Sequence, residues 1–162
     1  MRLFIAIQLS DEMKKALVAC MHDLKKQGVE GNYVPAQNLH MTLAFIGEYD
    51  DPGKVKEVIG KVPIPEFRIS LSEKGDFGNI LWAGVKGNQK LKTYVKDLRA
   101  ALAAEGIPVD KEKFVPHITL IRKFSVKKPY QFHLPKAEMT VKKASLMKSE
   151  QKNGKVTYKA IG

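Results

Sequence analysis

His40 and His117 each open the tetrapeptide His-x-Thr-Leu, first as "HMTL" and again, 77 residues later, as "HITL". The chain has 4 histidines, so half of them sit in one repeated pattern. An imidazole, with a reference pKa of about 6.5, can give or take a proton at cellular pH. Two imidazoles facing one phosphorus would supply both halves of an in-line displacement. One takes the proton of the attacking water and the other protonates the departing oxygen. Side chains alternate with a period of two along a strand, so Thr42 shares a face with His40 and Thr119 with His117. Their hydroxyls become candidate donors to the non-bridging oxygens of a phosphate. Arg122 follows the second pattern closely enough to add a bidentate charged donor; Lys123 comes next, and alternation should aim the two residues differently.

Other chemistries find little support. A zinc site wants three His, Cys or carboxylate ligands at characteristic spacing, and neither motif histidine has such a neighbour within three residues. There is no Walker-type phosphate loop, no Gly-x-Ser-x-Gly elbow and no Gly-x-Gly-x-x-Gly signature. A metal-free, cofactor-free acid–base pair is the expectation that remains. His22 and His133 lack a partner motif and read as surface or core-edge residues. Tyr33, Phe4 and Trp82 are aromatic candidates for a base-stacking surface, although each by itself fits ordinary packing. Asn38, just before the first motif, reads as a turn residue.

The charge balance points the same way. Lys and Arg number 28 against 17 Asp and Glu, a net +11. From Lys123 to Gly162, 10 lysines face only Glu138 and Glu150. Such a field concentrates anions, of which nucleic acid is the commonest large one. A lone cysteine, Cys20, excludes an internal disulfide and fits the cytoplasm. No apolar run approaches the roughly 20 residues that span a bilayer. The opening "MRLFIAIQLS" reads as a first strand rather than a signal peptide.

These groups need elements to hold them. Residues 2–9 read as a buried strand, and Ser10 as the N-cap of a helix whose apolar residues run from Met13 to Leu24. After a turn-rich stretch over 28–38 comes the strand "LHMTLAFIG". A short helix over "DDPGKVKEVIGKV" and a strand "EFRISLSE" follow. "NILWAGV" is a strand, Asn88 caps a helix ending at Gly106, and "KFVPHITLIRKF" is a strand entered through Pro116. "YQFHLP" and "EMTVKKASLMKSE" lead to "KVTYKAI", reached through an Asn-Gly hairpin turn at "KNG". Strand–helix–strand thus occurs twice, and a 77-residue offset superposes the motifs. The same offset sets Leu3–Ala6 on Ile80–Ala83 and Ser10–Asp11 on Gly87–Asn88, and brings the helix-ending glycines within one position. The expectation is one domain over 1–162, built from duplicated units at about 1–50 and 78–125.

Together "RLFIAI", "NLHMTLAFIGE", "LWAGV" and "FVPHITLIR" resemble the two-histidine (2H) phosphoesterases, specifically the RNA 2′,3′-cyclic phosphodiesterase or 2′-5′ RNA ligase family. The resemblance spans nearly the whole chain and is weakest in the last forty residues. It implies an α+β, bilobal fold: two pseudo-twofold-related lobes whose antiparallel sheets line a central cleft, with helices outside. It implies metal-independent hydrolysis of RNA 2′,3′-cyclic phosphate ends to 2′-phosphates, with 2′-5′ ligation as a related reaction. Carried onto this sequence, His40 is the proton donor to the leaving O3′ and His117 the proton acceptor from water. Thr42, Thr119 and Arg122 bind the phosphate, and Tyr33, which stands where many relatives have tryptophan, contacts the nucleobase with Phe4. The implied partner is an RNA end, such as a tRNA fragment, met by a cytoplasmic monomer with no membrane association. A non-catalytic RNA-binding or nucleotide-sensing module is the rival reading. Another is an enzyme of the same type acting on a small cyclic phosphate or a 2′-5′ oligonucleotide.

Overall fold

Leu3 to Ile7 are buried without interruption, the pattern of a strand covered on both faces. The computed structural model, which describes residues 1–86 and 88–162, places this strand, β1 (Arg2–Gln8), inside an antiparallel sheet. β1 pairs on one side with β3 (His40–Glu48) and on the other with β8 (Ser145–Lys152), and β9 (Lys155–Ala160) closes the sheet beyond β8. The second sheet is also antiparallel. Its order is β2 (Glu30–Tyr33), β6 (His117–Ser125), β5 (Ile80–Lys86), β4 (Phe67–Phe77) and β7 (Glu138–Val141).

Three α-helices lie among the described residues: α1 (Asp11–Lys26), α2 (Pro52–Lys61) and α3 (Gln89–Ala104). The Ser10 hydroxyl accepts from the Met13 N–H at 3.2 Å and the Asn88 side-chain Oδ1 from the Leu91 N–H at 3.2 Å, so both long helices start as expected. Gly28 and Gly106, at φ 87° and 73°, take the left-handed conformation just past each helix end. Leu17, Cys20 and Leu24 of α1 and Leu91, Leu98 and Leu102 of α3 join one core with the inward residues of both sheets. The layering is α+β, with the apolar stripes of the helices packed on the sheets.

Three details depart from the sequence reading. The turn-rich stretch contains β2, which borders the second sheet. "EMTVKKASLMKSE" divides into β7 and β8, which belong to different sheets, so this short segment ties the two together. The 77-residue offset holds for β3 and β6 but not for their neighbours. Gln8 faces His40 whereas Gly84 faces His117, an offset of 76, and α1 to α3 runs at 78. Setting Ala6 on Ala83 would exchange cleft and core faces, since a one-residue slip reverses a strand. Ser10 corresponds instead to Asn88, and Gly87, its expected counterpart, lies outside the described residues.

β-Bulges complete the frame. Consecutive residues Trp82 and Leu81 of β5 face Thr119 and Ile121 of β6, leaving Leu120 as the extra residue. Likewise Ile5 and Ala6 of β1 face Ala44 and Thr42, leaving Leu43 extra in β3. The two bulges are again 77 residues apart. Leu43 and Ala44 are both fully buried, as are Leu120 and Ile121, so the inward face gains one residue and the alternation beyond it reverses. Strict alternation would send Arg122 to the core side with Ile118 and Leu120; the bulge returns it to the side of His117 and Thr119.

Candidate active site

His40 and His117 occupy the first position of β3 and β6, with Met41, Leu43, Ile118 and Leu120 fully buried behind them. In each case the chain enters the strand so that a carbonyl two residues back meets the imidazole. His40 Nδ1 lies 2.7 Å from the Asn38 carbonyl oxygen, and His117 Nδ1 lies 2.6 Å from that of Val115. A carbonyl can only accept, so Nδ1 carries the proton and donates it in both rings. Nε2 is therefore the atom left to exchange a proton in each, and both imidazoles are set in the same tautomer by backbone alone.

Beyond this the two halves differ. His40 Nε2 sits 2.9 Å from Thr42 Oγ1, whereas no such bond links Thr119 to His117 among the described residues. When His40 is protonated, Nε2–H donates to Thr42 Oγ1, whose own hydrogen stays available to an incoming oxygen. Burial lowers the pKa of His40 from its ordinary value, and the nearby Arg122 and His117 push the same way. The hydrogen bond to the Asn38 carbonyl opposes them. Arg122 lines the same cavity wall as His40 and Thr42.

Each imidazole also stands in an aromatic frame. Phe4 and Tyr158 lie with ring centroids 5.0 and 5.1 Å from His40, Tyr158 edge-on. Phe77 and Trp82 lie 5.2 and 5.7 Å from His117. Gly75 faces Trp82 across β4 and β5, and a side chain there would drive into the indole. Phe77 and Tyr158 escaped the sequence reading because each comes from a strand remote from its motif. Phe77 ends β4, next to the tight turn at Gly78–Asn79, and Tyr158 lies on β9.

A cavity of about 770 Å³ opens beside His40, lined by Phe4, Thr42, Phe45 and Arg122 among others, while His117 and Thr119 stand outside its lining. Of the expected nucleobase contacts, Phe4 reaches this wall but is 4% exposed, its ring spent on His40 and Tyr158. Tyr33 is not brought here, which corrects its expected role. It pairs with Ile121, on the core side of β6, its hydroxyl donates to the Val29 carbonyl, and it borders a separate shallow groove with Val18 and Met21. Phe45 is the exposed aromatic at the cavity, at 38% exposure. The bulge at Leu43 turns it to that side just as the bulge at Leu120 turns Arg122.

The groups a bulge leaves out of the ladder need partners. At the first bulge these come from α3 and the loop after it. Arg99 Nε and Nη2 donate to the Leu43 carbonyl at 3.1 and 2.9 Å, and the Phe45 N–H donates to Asp110 Oδ1 at 2.8 Å. At the second, the Val34 N–H donates to the Leu120 carbonyl at 2.8 Å. Asn38 is more than a turn residue: it is 6% exposed, and its amide donates to the Val156 carbonyl at 2.9 Å, fastening β9 beside the turn that holds His40.

The profile of the 2′-5′ RNA ligase superfamily matches residues 15–153. The chain is 33% identical over 132 residues to an RNA 2′,3′-cyclic phosphodiesterase of Thermotoga maritima, covering 75% of this chain and 70% of the relative. It is 30% identical over 128 residues to one of Escherichia coli, covering 75% and 71%. Among solved structures, that of E. coli LigT complexed with 3′-AMP superposes with a TM-score of 0.86 at 27% identity, covering 99% of this chain and 95% of that one. Sequence profile, relatives and backbone agree, and the chain belongs to the 2′-5′ RNA ligase superfamily.

Proposed function

We propose that this chain, whose relatives are named RNA 2′,3′-cyclic phosphodiesterases, hydrolyses RNA 2′,3′-cyclic phosphate ends, and that it does so by metal-independent acid–base catalysis that leaves a 2′-phosphate. The observation that carries the reading is the pair of imidazoles with Nδ1 tied to backbone carbonyls and Nε2 left to exchange protons, with Arg122 on the cavity wall beside His40. The cyclic phosphate accepts from Thr42, Thr119 and Arg122. Water attacks phosphorus from the side of His117, whose Nε2 takes a water proton as the new P–O bond forms. The bond from phosphorus to O3′ breaks on the opposite side, and His40 Nε2–H protonates O3′. The phosphate stays on O2′.

The cavity supports this division of labour. The leaving O3′ belongs to the nucleoside itself, so in-line geometry puts the nucleoside on the acid's side of the phosphorus. The cavity that could receive a nucleoside lies beside His40. Burial lowers the pKa of His40 in the free enzyme, and an arriving phosphate anion favours its protonated form. A 5′-hydroxyl of a second RNA, standing in place of the water, would give a 2′-5′ linkage by the same two proton transfers.

The two strand–helix–strand units, with matching bulges and carbonyl-held histidines, support a single duplicated domain. No helix among the described residues is long and apolar enough to cross a membrane. A cytoplasmic monomer acting on RNA ends, tRNA fragments among them, fits the single Cys20 and the net charge of +11. The test is product analysis on an RNA ending in a 2′,3′-cyclic phosphate, with chelator in excess. A 2′-phosphate product is expected; a 3′-phosphate, or loss of activity on chelation, refutes the mechanism.

A further inference from the structure

The cavity beside His40 extends well past the groups a cyclic phosphate would touch, along β1 and β8 to Arg2 and Lys148. Arg2 is exposed, and its guanidinium lies 5.1 Å from the centre of the Phe45 ring, leaning back along β1 toward the motif. Phe45 faces Phe4, and Phe4 is two residues from Ala6, which faces Thr42. The Arg2 charge thus stands roughly 7 Å along the strand from the level of Thr42, from the rise of about 3.3 Å per residue. That is comparable to the spacing of successive phosphates in an extended strand of RNA.

The charges nearby leave this guanidinium available. Glu48, opposite Arg2 in the ladder, is taken by the Met1 ammonium at 2.8 Å. Lys148 is held by Glu150 at 3.0 Å. Among the described residues no carboxylate closes on Arg2 itself. The cavity therefore offers two guanidiniums with no carboxylate partner among the described residues, Arg122 beside His40 and Thr42 and Arg2 further out, with an exposed aromatic ring beneath the second.

We infer that Arg2 binds the phosphodiester on the 5′ side of the terminal nucleoside, so that the site is built for an RNA strand end rather than a cyclic mononucleotide. The inference rests on the proposed cyclic-phosphate chemistry, which puts the nucleoside on the His40 side. A strand leaving the cavity along β1 passes Arg2 and Phe45 on its wall. Lys148, already neutralised by Glu150, contributes less.

The experiment compares adenosine 2′,3′-cyclic phosphate with an RNA trimer ending in the same group. Wild-type protein is expected to show the higher kcat/KM on the trimer. Arg2→Gln should lower kcat/KM on the trimer about five- to tenfold, as expected for one charge-assisted contact partly open to water, and leave the mononucleotide unchanged. Arg2→Lys should keep part of the difference. The dependence of trimer binding on log salt should become shallower by about 0.7 in Arg2→Gln, one phosphate contact on a single strand. Equal losses on both substrates, or no loss on the trimer, overturn the inference. A binding arm separates the two readings: dissociation constants are measured for a trimer and a mononucleotide that already carry the 2′-phosphate. If wild-type protein cleaves neither cyclic substrate, the proposed chemistry fails. The binding arm still decides Arg2, since its loss must weaken the trimer alone.

Discussion

The asymmetry between the two threonines makes a sharp test of the mechanism. Thr42 and Thr119 are equivalent in sequence, and each would donate to a non-bridging oxygen of the phosphate. Removing one preorganised donor of this kind costs about 10²–10³ in rate where charge develops in a shielded site. Thr42 has a second task, because its Oγ1 lies 2.9 Å from His40 Nε2 and holds the ring at the angle from which the proton leaves. Thr119 has no such bond to His117 among the described residues. A net hydrogen bond is worth about 1 kcal/mol, or roughly fivefold in rate. Thr42→Ala should therefore lower kcat/KM about fivefold more than Thr119→Ala. Thr42→Ser, which keeps the hydroxyl, should recover most of the loss. The assay is steady-state hydrolysis of an RNA 2′,3′-cyclic phosphate at a fixed pH, with melting curves to confirm that all three variants fold. Should Thr119→Ala prove the more damaging, or Thr42→Ser behave like Thr42→Ala, the orienting role of the hydroxyl is wrong.

Replacing either His40 or His117 with glutamine should cost on the order of 10²–10⁴ in kcat, and the double variant far less than the product of the two, since the pair acts as a unit; rate ratios from single-turnover reactions check this. His40 must be protonated to act as the acid, so kcat/KM should fall as pH rises through its lowered pKa, placing the alkaline limb below about 6.5. Arg122→Gln removes one of the charges that hold this pKa down, so the limb should move to higher pH even as the rate drops; a pH–rate profile that moves the other way contradicts the assignment. Arg99→Met strips donors from the Leu43 and Glu112 carbonyls and takes from Asp110 its ion-pair partner, a guanidinium on a side chain only 18% exposed. A loss of about 2–3 kcal/mol is expected in urea unfolding, or roughly 5–10 °C in Tm, together with reduced activity as the Leu43 bulge loosens.

Much of the site could be read from residue order, for a local reason. His40 and Thr42, or His117 and Thr119, are two apart, and the period of a strand puts them on one face without help from the rest of the chain. The helix caps at Ser10 and Asn88 and the turn at Asn153–Gly154 were equally local, because a single side chain or a positive φ decides each. The doubling of the pattern revealed the second half of the site before any contact was known.

What residue order could not supply is whatever depends on a register or a distant strand. A bulge is one extra residue in a pairing, invisible until the partner strand is known. It decides that Arg122 and Phe45 join the cleft face and that Tyr33, on a strand paired to the core side of β6, does not. The partners of the first bulge, Arg99 and Asp110, lie more than fifty residues from it in sequence. Tyr158 and Phe77 reach the histidines only through the sheet order. The sequence by itself determined the chemistry available, two imidazoles and two hydroxyls at strand spacing. Tertiary structure decided their inequality: burial and a hydroxyl contact at His40, and a cavity whose wall includes His40 but not His117, because those depend on what packs against each half and not on the motif the halves share.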